Sequence, residues 1–414
     1  MNKMKLNILI PGLIISALIL RIVALFFFGD TGLENEWSVL AHNLSEKGIL
    51  GYFIVNDTFK ATPGLAKLND IVLPSAFMPP LYAYFIFIIK YIFSSFINFV
   101  NIILIFQILF SLIGTYLFLR ILQIKETQNV SLCTALIFSL IPINIYATVQ
   151  ISSISIQVFL LIYFFYILRL FSDHKKISQK NLFIFSIISG LLILLRGEFI
   201  LFYILTIIYF FLYYVRNIKF FLMSLIITLL VISPYVIRNY YHFNTFTITK
   251  SIGYNLLKGN NPNFKIEGNP SFIDEKFNRE NLSIKTDKNY EIKLDNFYKE
   301  KALEFIKKDP GFYLKNYFIK VISFLTFDPY SSYEKYFNLL HLAPKVVLSI
   351  LSFFGGIISI KKKGFLQYLS FYFFSNIFFF SIFFILPRYS LILLPIQILL
   401  SLEFVKFLLR KFVN

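Results

Sequence analysis

Apolar residues come in long unbroken runs, separated by short polar turns and two longer polar stretches. The runs cover about 8–28, 79–96, 99–122, 130–147, 151–171, 182–195, 199–215, 220–237, 341–360, 365–386 and 389–409. A helix needs roughly 20 apolar residues to cross a bilayer, so this spacing predicts successive transmembrane helices. The predicted fold class is an all-α integral membrane protein, a bundle of about nine to eleven transmembrane helices. Three regions follow: an N-terminal membrane region 1–237, whose first loop is 29–78, a loop region 238–340, and C-terminal helices 341–414. The run at 8–28 is too long for a signal peptide, and no small-residue cleavage site follows it.

Charge then gives the bundle a direction. Basic residues cluster at Arg120 and Lys125, at Lys175, Lys176 and Lys180, at Arg216 and Lys219, at Lys361–Lys363, and at Arg410 and Lys411. Placing all of them in the cytoplasm is the economical solution, with the N-terminus on the same side. The first loop and the 238–340 region then lie outside, in a multi-pass protein of the cell membrane. The parity closes only if the 79–96 run, with Lys90 in its middle, does not fully cross. Within the first loop, residues 34–44 have helical periodicity: Trp37, Leu40, Ala41 and Leu44 share one face. A tryptophan there suits a helix lying at the membrane interface.

Composition narrows the chemistry. The net charge of +18 is read as positive-inside loops and attraction to anionic lipid, with no nucleic-acid partner, because no basic groove-reading helix is present. One cysteine, Cys133, excludes an internal disulfide; sitting in an apolar run, it reads as a small packing residue. The four histidines have no ligand spacing, so no metal site is assigned, and a divalent metal is neither indicated nor excluded. Ionisable groups at membrane depth are expensive and point to function. On the external side these are Asp30, Glu34 and Glu36 of the first loop, Arg196 and Glu198 at a helix break, Arg238, and Arg388. Arginines there suit a phosphate group, through bidentate charge-assisted bonds. A carboxylate beside them suits a general base. His42 is on the same side, within reach of a substrate.

The order of these features resembles the GT-C class of glycosyltransferases. Within it, the chain is similar to the protein O-mannosyltransferase and lipid A aminoarabinose transferase group. The resemblance rests on six pieces in order. They are Glu34, Glu36, Trp37, Ala41, Asn43 and Leu44 with Gly48, Gly51 and Tyr52; Pro74-Ser75-Ala76-Phe77-Met78-Pro79-Pro80-Leu81-Tyr82; Leu195-Arg196-Gly197-Glu198; Pro234-Tyr235-Val236-Ile237-Arg238-Asn239-Tyr240; Gly259-Asn260-Asn261-Pro262; and Pro387-Arg388-Tyr389 with Pro395. The resemblance implies sugar transfer, with inversion, from a polyprenyl-phosphate-linked donor at the outer face. The acceptor would be a hydroxyl on a glycan, lipid or protein. A first-loop carboxylate would be the base. Arg238 and Arg388, with Arg196, would bind the lipid phosphate, and Glu198, Tyr82 and His42 would line the same site. The family's paired acids stand four and three residues before the aromatic. Here those positions hold Leu33 and Glu34, which leaves the base open between Glu34 and Glu36, with Asp30 third. A polyprenyl-linked sugar transporter or flippase and a non-catalytic lipid-binding relative are the rival readings. A transporter predicts inverted repeats, and none is visible.

Overall fold

The computed structural model describes residues 3–33, 35–55, 60–93, 98–173, 178–214, 218–332 and 338–413. Glu34, the first candidate base, lies outside the described residues, as do Lys175, Lys176 and Arg216. The first helix, α1 (Lys3–Phe28), leaves Phe26, Phe27 and Phe28 exposed. An apolar helix surface of that kind is stable against lipid rather than water. Its inner stripe is Leu13, Ala17, Arg21 and Ala24, spaced by one helical turn. Arg21 is fully buried. Its Nε donates to Ser111 Oγ at 3.0 Å, and its Nη1 donates to the carbonyls of Ala17 at 3.0 Å and Ser139 at 3.4 Å. A charge at membrane depth is thus held in part by two neighbouring helices, while its Nη2 meets no acceptor among the described residues.

The first loop carries α2 (Glu36–Lys47), then three short strands, β1 (Phe53–Val55), β2 (Ala61–Pro63) and β3 (Ile71–Val72). The strands form an antiparallel sheet of order β2-β1-β3, which the all-α expectation did not include. Next, α3 (Leu81–Phe93) lies along α2: Trp37 meets Tyr82 edge-on at 5.5 Å, and Lys90 faces Glu46 at 3.9 Å. Thirteen residues of helix reach about 20 Å, short of the roughly 30 Å hydrocarbon core.

The bundle continues with α4 (Phe99–Gln123), α5 (Gln128–Leu140) and α6 (Pro142–Thr148), the last two bent by 58° where Pro142 opens the second. Then come α7 (Ile154–Asp173), α8 (Gln179–Leu195), α9 (Phe199–Tyr213) and α10 (Ile218–Phe243). The region after α10 folds as α11 (Ile252–Gly259), α12 (Pro270–Ser283), α13 (Tyr290–Lys308) and α14 (Pro310–Leu325). The chain closes with α15 (Leu339–Ile360), α16 (Phe365–Ser381), α17 (Pro387–Ile392) and α18 (Leu394–Val413).

Among the described residues, α1, α4, α7, α10 and α15 are each long and apolar enough to cross a membrane, and α5 with α6 makes a sixth if the bent pair is one span. The shorter apolar helices α8 and α9 pack among them, with Phe164 of α7 stacked on Phe185 of α8 and edge-on to Phe199 of α9. The result is a predominantly α-helical, multi-spanning membrane bundle. Cys133 corrects one expectation: it is exposed on the outer face of α5 rather than packed inside.

Polar groups gather at two ends. One, the loop end, holds the first loop, the α6–α7 turn, the α8–α9 break, the end of α10, and α11–α14. The other, the hairpin end, brings the α4–α5 and α15–α16 turns together with α18. There Lys362 pairs with Glu403 at 2.6 Å, and Lys406 bridges Glu126 and Glu403.

Candidate active site

The first loop is fixed by its own sequence. Asn35 caps α2: its Oδ1 accepts from Ser38 N at 3.1 Å, and its N–H donates to Ser38 Oγ at 3.2 Å. Such a cap satisfies donors at the helix start and suits a carboxylate in the first turn. Glu36 occupies that turn and is exposed, while Trp37, Leu40 and Ala41 turn inward on the face the periodicity indicated. Asp30, at the exit of α1, holds the α6–α7 turn. Its N–H donates to the Val149 carbonyl at 3.0 Å and its Oδ2 accepts from Ile151 N at 2.6 Å. Asn35 Nδ2 grips the Ile151 carbonyl at 3.0 Å. Gln107 Nε2 binds the carbonyls of Thr148 and Gln150, and Tyr82 OH donates to Gln107 Oε1 at 2.7 Å. Tyr82 is fully buried, so it reaches the loop end through Gln107 rather than by its own surface. His42 is half-buried, with Nε2 3.4 Å from the Ala66 carbonyl beside the sheet.

Glu36 acts on the same buried cation as Arg388. Burial pushes the Lys258 ammonium below its ordinary value, the positive charge of Arg388 adds to that, and Glu36 and Glu267 oppose it. These four groups therefore share one electrostatic neighbourhood. Burial raises the Tyr52 and Tyr254 hydroxyls to about 12, with the Glu36 carboxylate contributing to both. Tyr52 stacks on Phe77 at 5.1 Å, Phe77 meets Tyr254 at 5.8 Å, and Lys258 Nζ stands 4.4 Å from the centre of the Phe384 ring. Tyr52, Phe77 and Tyr254 thus form one aromatic cluster beside this group of charges, and the two together are the candidate mouth of the site.

The Gly259-Asn260-Asn261-Pro262 segment explains why Lys258 and Arg388 meet. A Cβ on Gly259 would lie 1.9 Å from the Phe383 carbonyl oxygen, so only glycine lets the end of α11 press against the chain entering α17. Asn260 Nδ2 donates to the Ile382 carbonyl at 2.8 Å. The buried Lys320 Nζ reaches Phe383 O at 2.7 Å, Asn260 Oδ1 at 3.1 Å and Gly259 O at 3.3 Å. Pro387 starts α17, and exposed Arg388 follows it.

The other two arginines are placed differently. Arg238 Nη1 donates to the Ser75 carbonyl at 2.7 Å and Asn239 Oδ1 at 2.8 Å, and Nη2 donates to the Leu50 carbonyl at 2.8 Å. Three of its five donors are thus committed, two of them tying the first loop to α10. Beneath it, the buried Glu291 accepts from Ser75 Oγ at 2.5 Å and Ala76 N at 2.7 Å. Burial lifts its carboxyl to about 8, against those hydrogen bonds and the Arg238 charge. Arg196, in extended backbone after α8, donates from Nε to Gln157 Oε1 at 3.2 Å, and half-buried Glu198 opens α9. Gly197 between them lies against the α10–α11 link, where an added Cβ would be 2.9 Å from Thr249 Oγ1.

Thus Glu36 and Arg388 share the neighbourhood of Lys258, Asp30 and Tyr82 brace the adjoining turn, Arg196 and Glu198 stand at the α8–α9 break, and Arg238 binds the first loop from behind. Lys258, Tyr254 and Glu291 were not singled out from the sequence, and Tyr52 was named there only as part of the first-loop motif. The glycine-asparagine segment was the available signal for Lys258, which immediately precedes it. No group of three or more His, Cys, Asp or Glu able to hold a metal ion occurs among the described residues.

Comparison with known proteins places this architecture. The model of the Alg9-like mannosyltransferase family matches residues 71–264. No curated protein matches the chain. The archaeal oligosaccharyltransferase AglB from Archaeoglobus fulgidus, solved with an inhibitory peptide and a dolichol-phosphate, aligns with a TM-score of 0.56 and 13% identity. The alignment covers 99% of this chain and 51% of that one. The Archaeoglobus fulgidus oligosaccharyltransferase tethered to an acceptor peptide aligns at 0.54 and 12%, over 97% and 50% of the two chains. The fold is GT-C. ArnT from Cupriavidus metallidurans, bound to undecaprenyl phosphate, overlays at a TM-score of 0.40 and 11% identity over 98% of this chain and 78% of that one. This GT-C bundle spans about half the length of the oligosaccharyltransferases it matches.

Proposed function

We propose that the protein is a membrane glycosyltransferase that moves a sugar from a polyprenyl-phosphate donor to an acceptor hydroxyl, with inversion. The observation that carries this reading is the join of α11 to the chain entering α17, at Gly259 and Lys320, which sets Lys258 and Arg388 on adjoining segments near exposed Glu36. The dolichol-phosphate in the archaeal oligosaccharyltransferase structure of the same fold supports this donor class. A first-loop carboxylate takes the acceptor proton; Glu36 and Glu34 are the candidates, with Asp30 third. The acceptor oxygen attacks the anomeric carbon from the face opposite the phosphate. The bond between that carbon and the phosphate oxygen breaks, and the phosphate leaves with the electron pair. Lys258 and Arg388 take up its charge, with Arg196 next in line. An incoming phosphate also favours the charged form of Lys258, which burial disfavours. Arg238 acts one step back, by holding the carbonyls of Leu50 and Ser75. The positive-inside rule puts the hairpin end in the cytoplasm and the mouth outside. The acceptor is a glycan, lipid or protein hydroxyl.

The test is transfer or release of sugar from radiolabelled polyprenyl-phosphate sugars by the purified full chain, with a broad acceptor extract. Glu34→Gln, Glu36→Gln and Asp30→Asn are run alongside. The expected result is turnover in the wild type and its loss in one variant that still binds donor. Donor binding without turnover in the wild type, for every sugar offered, would replace this reading with a non-catalytic or transport role.

A further inference from the structure

The hairpin end contains a cavity of about 460 Å³, remote from the mouth described above. It lies between the start of α16 and the ends of α7 and α9, and its cationic lining is Lys125, Arg169, Lys362 and Lys363. Arg169 is the informative residue. It is only 8% exposed, its guanidinium sits 5.1 Å from the centre of the Phe365 ring, and its Nε–H meets no acceptor among the described residues. A buried guanidinium with an open donor is costly unless an anion completes it. The acids near it do not form that bond. Glu403 is paired with Lys362 and Lys406, and Glu126 with Lys406. Asp173 lines the cavity but is exposed, and no ion pair joins it to Arg169 among the described residues. Lys125 and Lys363 are exposed at the rim.

The backbone is shaped to present these groups. Gly364 has φ +113°, and a Cβ there would lie 2.9 Å from the Tyr214 hydroxyl. Only glycine turns the chain from α15 into α16 at this point with Lys362 and Lys363 facing the cavity. Beside it, the apolar side chains of Leu212, Tyr213 and Phe371 are exposed. A cationic cavity flanked by exposed apolar surface suits a ligand with a charged head and an apolar tail.

We infer that this cavity binds the phosphate of an anionic lipid headgroup, with Arg169 as the inner ligand and Lys125 and Lys363 at the rim. The site is separate from the sugar-transfer mouth and does not depend on that reading.

The test is native mass spectrometry of the full chain in micelles doped with phosphatidylglycerol or phosphatidylcholine, and a third arm with inorganic phosphate. The variants are Arg169→Gln and the double variant Lys125→Gln/Lys363→Gln, which leaves the buried arginine in place. Lys307→Gln/Lys308→Gln, an equal charge change on exposed α13 residues, is the control. The expected result is retention of phosphatidylglycerol over phosphatidylcholine, reduced about tenfold in both cavity variants and unchanged in the control. Equal retention in the wild type and the double variant would overturn the site. Binding of inorganic phosphate that displaces the lipid without loss of affinity would keep the phosphate site and overturn the lipid as its source.

Discussion

The two ends of the bundle use positive charge in opposite ways. At the loop end the cations are organised by backbone. Arg238 clasps two first-loop carbonyls, Lys320 clasps two more between α11 and α17, and these contacts carry Lys258 and Arg388 to one opening. At the hairpin end the lysines face carboxylates or water, and Arg169 faces a cavity. The hairpin end is strongly basic, whereas the loop end sets nearly as many acids among its bases, so net charge already separates the two. A second difference lies in the scaffold. Arg238 and Lys320 fix the backbone that presents Lys258 and Arg388, so those groups start from set positions, whereas exposed lysines on a rim can only attract.

Substitutions that affect one end and spare the other sharpen this contrast. The largest effect is expected at the base: Glu36→Gln or Glu34→Gln, whichever carries the proton transfer, lowers turnover about 10²–10⁴-fold with donor binding retained. Single-turnover rates beside binding isotherms measure that split. Arg388→Gln is next, with a loss in kcat of about 10²–10³-fold, the scale of removing one preorganised charge-stabilising donor. Lys411→Gln, exposed at the end of α18 on the far side, should leave kcat unchanged. Equal losses for both would erase the distinction between the ends.

Gly259→Ala tests the scaffold. Its Cβ cannot coexist with the Phe383 carbonyl at 1.9 Å, so α11 and the entry to α17 must separate. The expected cost is about 1–3 kcal/mol of stability, read as a lower thermal midpoint, together with weaker donor binding.

The effect furthest from turnover is a pH slope at Glu291. Its carboxyl stands near 8 in the fold and near 4.5 when unfolded, so between those values the native state holds a proton that the unfolded state has released. Stability therefore falls as pH rises through that window and flattens above it. Glu291→Gln mimics the protonated form, can still accept from Ala76 N, and should remove the slope. Thermal midpoints at about pH 5 and about pH 8, wild type against variant, check this.

How much of this was legible in the sequence follows from how local each signal is. The span of α1 and the inward face of α2 follow from periodicity within one helix, and Trp37, Leu40 and Ala41 pack as that periodicity requires. The sheet had no such signal, since strands of two or three residues are too short for alternation to show. Arg238 was recognised as a loop-end charge, but its partners at Leu50 and Ser75 lie 188 and 163 residues away, and no local pattern encodes them. Lys258 was overlooked for the same reason. Its position depends on a backbone contact between Gly259 and Phe383, and sequence displays the glycine without its partner.

Arg21 has a consequence for biosynthesis. Its acceptors on other helices, Ser111 and Ser139, lie 90 and 118 residues further along the chain. During synthesis α1 is therefore made with a buried guanidinium whose interhelical partners do not yet exist. A charge of this kind costs roughly 2.5–3.5 kcal/mol at the centre of a lone inserted helix. The apolar residues of the nascent first helix still drive its insertion against that cost, and α4 and α5 relieve part of it as they emerge.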